Sequence, residues 1–319
     1  MFKVMTWNVE NLFRVGQPSG PTTAAVYDNK LKGLANAINA QAPDALALQE
    51  IGDRAALDDL VALLNGVWQR QVSAHPDGRG IRVAWLSPRQ ISDPVDIVAF
   101  PPRLPPVQVD DQGTTQALMG RGAVAITVQG DSGRNIRLMA THLKSKLLTF
   151  PGNRFNPHDE DERARYATYA LDRRAAESAT LRMAVTAALG GHADQRPLIL
   201  AGDLNDTAQA ATSQLLLGPP GSEIGTRGFD QHDNGDPMRL WNLAPLMPPG
   251  RDYTRINQGR PELIDHILVS KALVTPLTAV TAQAVIDAPL ASIDPTNPTT
   301  RRNTPASDHA SVVATFANF

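Results

Sequence analysis

Short apolar runs broken by polar residues recur along the whole chain. Phe2–Thr6, Ala45–Leu48, Arg82–Leu86, Ala123–Val128, Ile136–Thr141, Leu198–Ala201, Leu263–Val269 and Ser311–Phe316 are of strand length, and most end at Gly, Pro, Asp or Asn. A longer period replaces them in three places. Asp28–Asn39, Arg54–Leu64 and Glu162–Leu189 predict helices. The last is the strongest, because Ala170, Leu171, Ala175, Ala179, Leu181 and Val185 fall near helical spacing among good helix formers. Strands outnumber helices, which predicts sheets covered by helices, with chemistry carried on loops at the strand ends. Phe100–Pro106 and Asp287–Pro305 are rich in proline and predict loops. Neither marks a boundary and no repeat is visible, so the expectation is one domain over residues 1–319.

Composition narrows the class. A hydrophobic share of 42% with 19% charged residues is ordinary for a soluble protein. No apolar stretch is long enough to span a bilayer, and the start lacks a signal-peptide pattern, so a cytoplasmic location is expected. The absence of cysteine removes disulfides, thiolate metal sites and Cys nucleophiles, leaving oxygen and imidazole as the available metal ligands. A formal charge of -2 argues against a protein that coats nucleic acid without specificity. The basic residues are 24 Arg and 6 Lys, and ten of them lie between Arg134 and Arg182 against six acids. That local excess suits phosphate contacts or reflects composition bias about equally.

Polar groups interrupt or follow the apolar runs at five places: Thr6-Trp7-Asn8-Val9-Glu10-Asn11; Leu48-Gln49-Glu50; Thr141-His142-Leu143-Lys144-Ser145-Lys146; Gly202-Asp203-Leu204-Asn205-Asp206; and Ile264-Asp265-His266 together with Ser307-Asp308-His309. Singly, each has an unremarkable reading. Asn8 caps a turn, Glu50 opens a loop, Gly202-Asp203 forms a turn, and a lone His is a surface or satisfied core residue. Chance rarely places so many carboxylates, amides and imidazoles after strands in one chain.

In order, TWNVEN, LQE, THLKSK, GDLND, IDHILVS and SDH resemble the motifs of the endonuclease/exonuclease/phosphatase superfamily, which includes DNase I-like nucleases, abasic-site endonucleases, sphingomyelinases and inositol-polyphosphate phosphatases. The likeness runs from residue 5 to residue 309. It implies an α/β fold, a four-layered α/β-sandwich of two packed, mainly antiparallel β-sheets flanked by helices. It also implies a metal-dependent phosphoester hydrolase using Mg²⁺, with Mn²⁺ as an alternative. Glu50 would be the principal metal ligand, with Asn8 beside it and Asp308 binding directly or through water. Glu10 would add an outer carboxylate. His309 and Asp265 resemble the family's His–Asp pair, Asp203 would orient or deprotonate the attacking water, and Asn205 would hold a phosphate oxygen. The general base is either His309 or Asp203. His142 would contact the phosphate or the leaving group.

Lys144 and Lys146 alternate along an extended segment and would face the same way, toward a phosphate or along a solvated edge. The insert Leu147 to Arg165 follows His142 and suits an ordered lid, with Arg154 and Arg163 as substrate contacts. His266, next to Asp265 on a strand, should face away from the site. The expected substrate is a phosphodiester, DNA or RNA foremost. A small-molecule or lipid-headgroup phosphoester is the alternative, and a dead binding module is disfavoured because every expected position keeps a competent side chain. No membrane span and no obligatory protein partner are expected.

Overall fold

Two six-stranded sheets form the centre of the computed structural model, which describes residues 1–293 and 301–319. The first sheet runs, edge to edge, Val280–Val285, Ser311–Phe316, Phe2–Leu12, Ala45–Ile51, Arg82–Ser87 and Gln69–Val72. The second runs Trp241–Asn242, Asp265–Val269, Leu198–Asp203, Asn135–His142, Leu118–Gln129 and Ser92–Ala99. Neighbouring strands are antiparallel except for one pair in each sheet. Phe2–Leu12 lies parallel to Ala45–Ile51, and Asn135–His142 parallel to Leu198–Asp203.

Strand alternation decides which face meets which. Val4, Ala45, Ala47 and Trp85 from the first sheet pack against Val124, Ile126, Leu138, Ile199 and Ile267 from the second, forming the inner core. The Trp85 indole, fully buried, donates to the Val124 carbonyl 3.1 Å away, so its polar atom is satisfied across the two sheets. The alternate residues Met5, Leu46, Leu48 and Leu86 face outward onto Leu31, Leu34, Ile38, Leu57 and Leu60 of the helices Ala24–Gln41 and Arg54–Val61. Ala123, Ala125, Met139, Leu198 and Leu200 likewise meet Ala176, Leu181, Val185 and Leu189 of the helix Glu160–Leu189. The result is helix, sheet, sheet, helix: the four-layered sandwich expected from the motifs.

The three helices start at side-chain caps, where a side-chain oxygen satisfies an N–H group the helix leaves open. Thr23, Asp53 and Asp159 accept from the backbone of Val26, Ala56 and Glu162. Phe100, expected in a loop, is buried in the outer core under the long helix. Residues 294–300 of the expected loop Asp287–Pro305 lie outside the described residues. No described helix is long and apolar enough to cross a membrane.

Candidate active site

The inward-facing rows of side chains run past the apolar core and become polar at one end of the sandwich. In Leu198–Asp203 the inward residues Ile199 and Ala201 are followed by Asp203, and in Asn135–His142 Leu138 and Ala140 are followed by His142. Asp265–Val269 runs the opposite way, so its inward row of Val269 and Ile267 reaches Asp265 at the same end. Register places His142, Asp203 and Asp265 abreast on three adjacent strands. From the facing sheet, Asn8 continues the row begun by Val4 and Thr6, and His309 sits just before Ser311–Phe316. The site is therefore the place where the inter-sheet core runs out.

Asp203, Asp265 and His309 form its buried floor, with one ligand atom from each within 4.8 Å of the others. His309 Nδ1 donates to Asp265 Oδ2 at 2.7 Å, which fixes the tautomer and leaves Nε2 for the site. Burial opposes charge on this imidazole, but Asp265, Asp308 and Asp203 together outweigh it and raise its pKa to about 10. Asp203 too is raised, above a free carboxylate. Burial and then the neighbouring Asp265 raise it to about 6, against the lowering effect of His309, Asn8 and the Asn205 N–H. Asp203 Oδ2 accepts from Asn8 Nδ2 at 2.9 Å and Oδ1 from Asn205 N at 2.7 Å. His142 Nε2 stands 3.4 Å from Asp203 Oδ2. Burial, then Arg121 and His309, hold the His142 pKa well below the usual range, so this ring is neutral at pH 7.

A second group of acids surrounds Asn8. Glu50 Oε2 accepts from Asn11 N at 2.8 Å, while Oε1 has only the Asn8 amide at 3.5 Å and keeps its lone pairs for a ligand. Asn8 presents nitrogen, not oxygen, to Glu50 and Asp203, because its Oδ1 accepts from Glu10 N at 3.0 Å. The expectation of Asn8 as an oxygen ligand does not fit this arrangement, where it is a donor between two carboxylates. Asp308 donates its backbone N–H to Glu10 Oε2. Glu10 is held in turn by Arg301 at 2.7 and 2.9 Å, and its carbonyl accepts from the buried Lys30. Burial and then Asp308 raise the Glu10 pKa to about 7. Positive φ at Glu10, Asn11, Glu50 and Asn205 (50, 53, 66 and 53°) concentrates backbone strain here, as at sites where side-chain direction matters more than local ease.

Several expectations about the flanking loops do not hold. The strand ends at His142, so Lys144 and Lys146 do not share a face. Lys144 Nζ is spent on the carbonyls of Ser145 and Leu147, both at 2.8 Å, and Lys146 pairs with Asp206 at 2.8 Å. Arg154 pairs with Glu162 at 2.7 Å over the Phe150 ring, so its guanidinium serves the shape of the insert, while half-exposed Arg163 pairs with Glu160 at 2.6 Å through Nε alone and keeps its other N–H groups. Asn205 directs an amide N–H at the Leu143 carbonyl, which leaves its other N–H for a ligand. Gly202-Asp203 is not a turn but the end of a strand. His266 faces away, as expected, and is held by Asn242 and the Asp206 carbonyl.

Other residues that shape the site went unread. Ser307 Oγ donates to the Asn8 carbonyl and accepts from His309 N, and Trp7 Nε1 donates to the His309 carbonyl, stitching the 307–309 loop to the Phe2–Leu12 strand. Arg174 and Glu177, buried on the long helix, hold the backbone of Lys144, and Arg174 also pairs with Asp206. The one available signal was two charged residues in the middle of an otherwise small-residue helix face. Arg301 lies in the predicted loop just before Ser307-Asp308-His309, and nothing in its local sequence set it apart.

Comparison with known proteins places the chain in a family. The Endonuclease/Exonuclease/phosphatase family matches residues 5–309, and the chain belongs to that family. Among solved structures it is similar to the human Nocturnin catalytic domain with bound sulfate anion (18% identity, TM-score 0.56, 99% of this chain and 94% of that one). It is similar also to truncated TDP2 of Caenorhabditis elegans (17%, TM-score 0.57, 99% and 96%). A third is an endonuclease/exonuclease/phosphatase from Bacteroides vulgatus (14%, TM-score 0.57, 98% and 97%). No curated protein matches. The chain is thus a member of a family of phosphoesterases and nucleases that generally use divalent metals.

Proposed function

We propose that the protein hydrolyses phosphodiesters, nucleic acid foremost, by attack of water at phosphorus with the help of a divalent cation, Mg²⁺ or Mn²⁺. The carrying observation is the buried Asp265–His309 pair at 2.7 Å with Asp203 beside it, at the floor of an acid-lined site. The similar Nocturnin domain carries a bound sulfate, a tetrahedral oxyanion of phosphate's shape.

The donor set fits a hard cation, which prefers oxygen and keeps several of its waters. Glu50 and Asp308 would hold it: Glu50 Oε1 has no partner closer than 3.5 Å, whereas both oxygens of Asp203 accept hydrogen bonds and Asp265 is tied to His309 through Oδ2, with its buried Oδ1 alone unpartnered. When bound, it would neutralise charge on a phosphate oxygen. The roles of the remaining residues follow from their protonation. His309 is already charged at neutral pH, so it donates a hydrogen bond to a phosphate oxygen and takes no proton. Asp203 is the ionised group at the floor and accepts the proton of the water. Neutral His142 and the second Asn205 N–H are placed to contact phosphate oxygens.

This assignment sets the sign of the pH dependence. Activity needs Asp203 without its proton and His309 with it, so kcat/KM rises as pH climbs through about 6 and falls through about 10. The test is a pH–rate profile on bis-p-nitrophenyl phosphate with p-nitrophenyl phosphate alongside. The diester is expected to be the better substrate by at least about tenfold, since ~1.4 kcal/mol of extra transition-state contact suffices. A rate that rises only near pH 10 would transfer the base role to His309, and preference for the monoester would make the protein a phosphatase.

A further inference from the structure

A cavity of about 370 Å³ adjoins the site on its His142 side. Its size is near the lower end of the roughly 300–1,000 Å³ of small-ligand sites, enough for one unit of a chain and too small for a duplex groove. Arg79, Arg121, Lys144 and Arg173 line it, against only Asp77 and Glu177. Arg121 spends Nε on Asp77 at 3.1 Å and one Nη on the Leu143 carbonyl, Arg173 spends Nε on Glu177 at 3.2 Å, and Arg79 meets Asp77 only at 4.0 Å. Among the described residues each arginine therefore keeps N–H donors for a ligand. Phe155, on the insert, lines the same cavity with 39% of its surface exposed. An exposed aromatic ring beside basic groups offers a stacking platform next to an anion site, the combination that holds single-stranded nucleotides.

We propose that this cavity binds the nucleotide adjoining the scissile phosphate, its own phosphate on Arg79, Arg121 and Arg173 and its base on Phe155. The proposal rests on the phosphodiesterase reading above and narrows its substrate to a strand that carries a second phosphate on the His142 side. His142 lines the cavity and also stands 3.4 Å from Asp203, so it lies between the two phosphates. Burial, then Arg121 and Arg173, draw Lys144 down to about 7, a crowding of positive charge that a bound anion relieves. The insert takes part through Phe155, while its Arg154 is tied to Glu162.

The experiment measures kcat/KM for wild type, Arg79→Ala and Phe155→Ala. The substrates are a dinucleoside monophosphate, the same molecule with an added 5′-phosphate or 3′-phosphate, bis-p-nitrophenyl phosphate and p-nitrophenyl phosphate. Both side chains are well exposed, so the variants fold. In wild type the added phosphate at one end raises kcat/KM at least tenfold. Arg79→Ala loses most of that gain, and Phe155→Ala lowers the rate on the dinucleotides about tenfold relative to bis-p-nitrophenyl phosphate. The proposal is overturned if neither end responds to phosphate, or if both variants lose as much on bis-p-nitrophenyl phosphate as on dinucleotides. Preference for p-nitrophenyl phosphate over every diester removes the phosphodiesterase reading itself, and this subsite with it.

Discussion

Asparagine at position 203 is expected to lower kcat on a phosphodiester by about a thousandfold or more, with metal saturating. The amide matches the carboxylate in shape and keeps an oxygen for the Asn205 N–H, so the loop stays in place. It cannot accept a proton, and it removes the charge that lies beside His309 and helps raise its pKa. His309→Ala should fall by a similar factor. Since the two groups act on one phosphate, the double variant should be little worse than the weaker single one. Steady-state turnover of the three variants checks this. Near-wild-type turnover in either single variant would remove that residue from the chemistry.

Alanine at position 202 is expected to cost roughly 4 kcal/mol or more of stability, enough to leave a marginal domain unfolded. Gly202 has φ of 151°, and a Cβ there would stand 2.0 Å from the Thr141 carbonyl oxygen on the neighbouring parallel strand. No side chain can yield, since the obstacle is backbone. Gly250 provides the control: its φ is 78° but nothing lies within 4 Å, so Gly250→Ala should cost only the 1–2 kcal/mol or so of left-handed backbone. Urea unfolding of both variants separates steric conflict from backbone strain. Equal losses would mean that the two strands do not approach as closely as described.

Gly202 also shows where sequence reading stops. Gly-Asp reads locally as a turn, and only the partner strand reveals that the glycine admits a neighbouring carbonyl. The same holds for the strands. The eight read from hydrophobic runs are the interior of the two sheets, where both faces are covered and the pattern is strong. The four strands of these two sheets that escaped, Gln69–Val72, Ser92–Ala99, Trp241–Asn242 and Val280–Val285, are their four edges. Ser92–Ala99, mostly exposed and carrying Pro94, Asp93 and Asp96, has the composition that keeps an edge from pairing with other chains.

The residues of the site were legible because each sits at the polar end of an inward-facing row, so strand alternation alone aims Asp203, His142 and Asp265 at one place. Beyond alternation only the family motifs helped: Glu50 and Asn205 reach the site through left-handed backbone and were read by resemblance, while Lys144 was misread because the strand stops two residues before it. Arg154 and Arg163 looked like substrate contacts because charge in a loop reads as available. The Arg163–Glu160 pair needed only the turn of a helix, whereas Arg154 reaches Glu162 from the insert, eight residues away, which no local spacing predicts.

The central claim is a cation held by Glu50 serving a phosphate attacked from the Asp203–His309 floor. Its most direct test is the cleavage of single-stranded DNA by EDTA-treated protein as Mg²⁺ is restored, wild type beside Glu50→Gln. Cleavage should vanish in EDTA, return with Mg²⁺ in wild type, and need roughly 10- to 100-fold more Mg²⁺ in Glu50→Gln. Full cleavage in EDTA, or identical Mg²⁺ titrations for the two proteins, would contradict it.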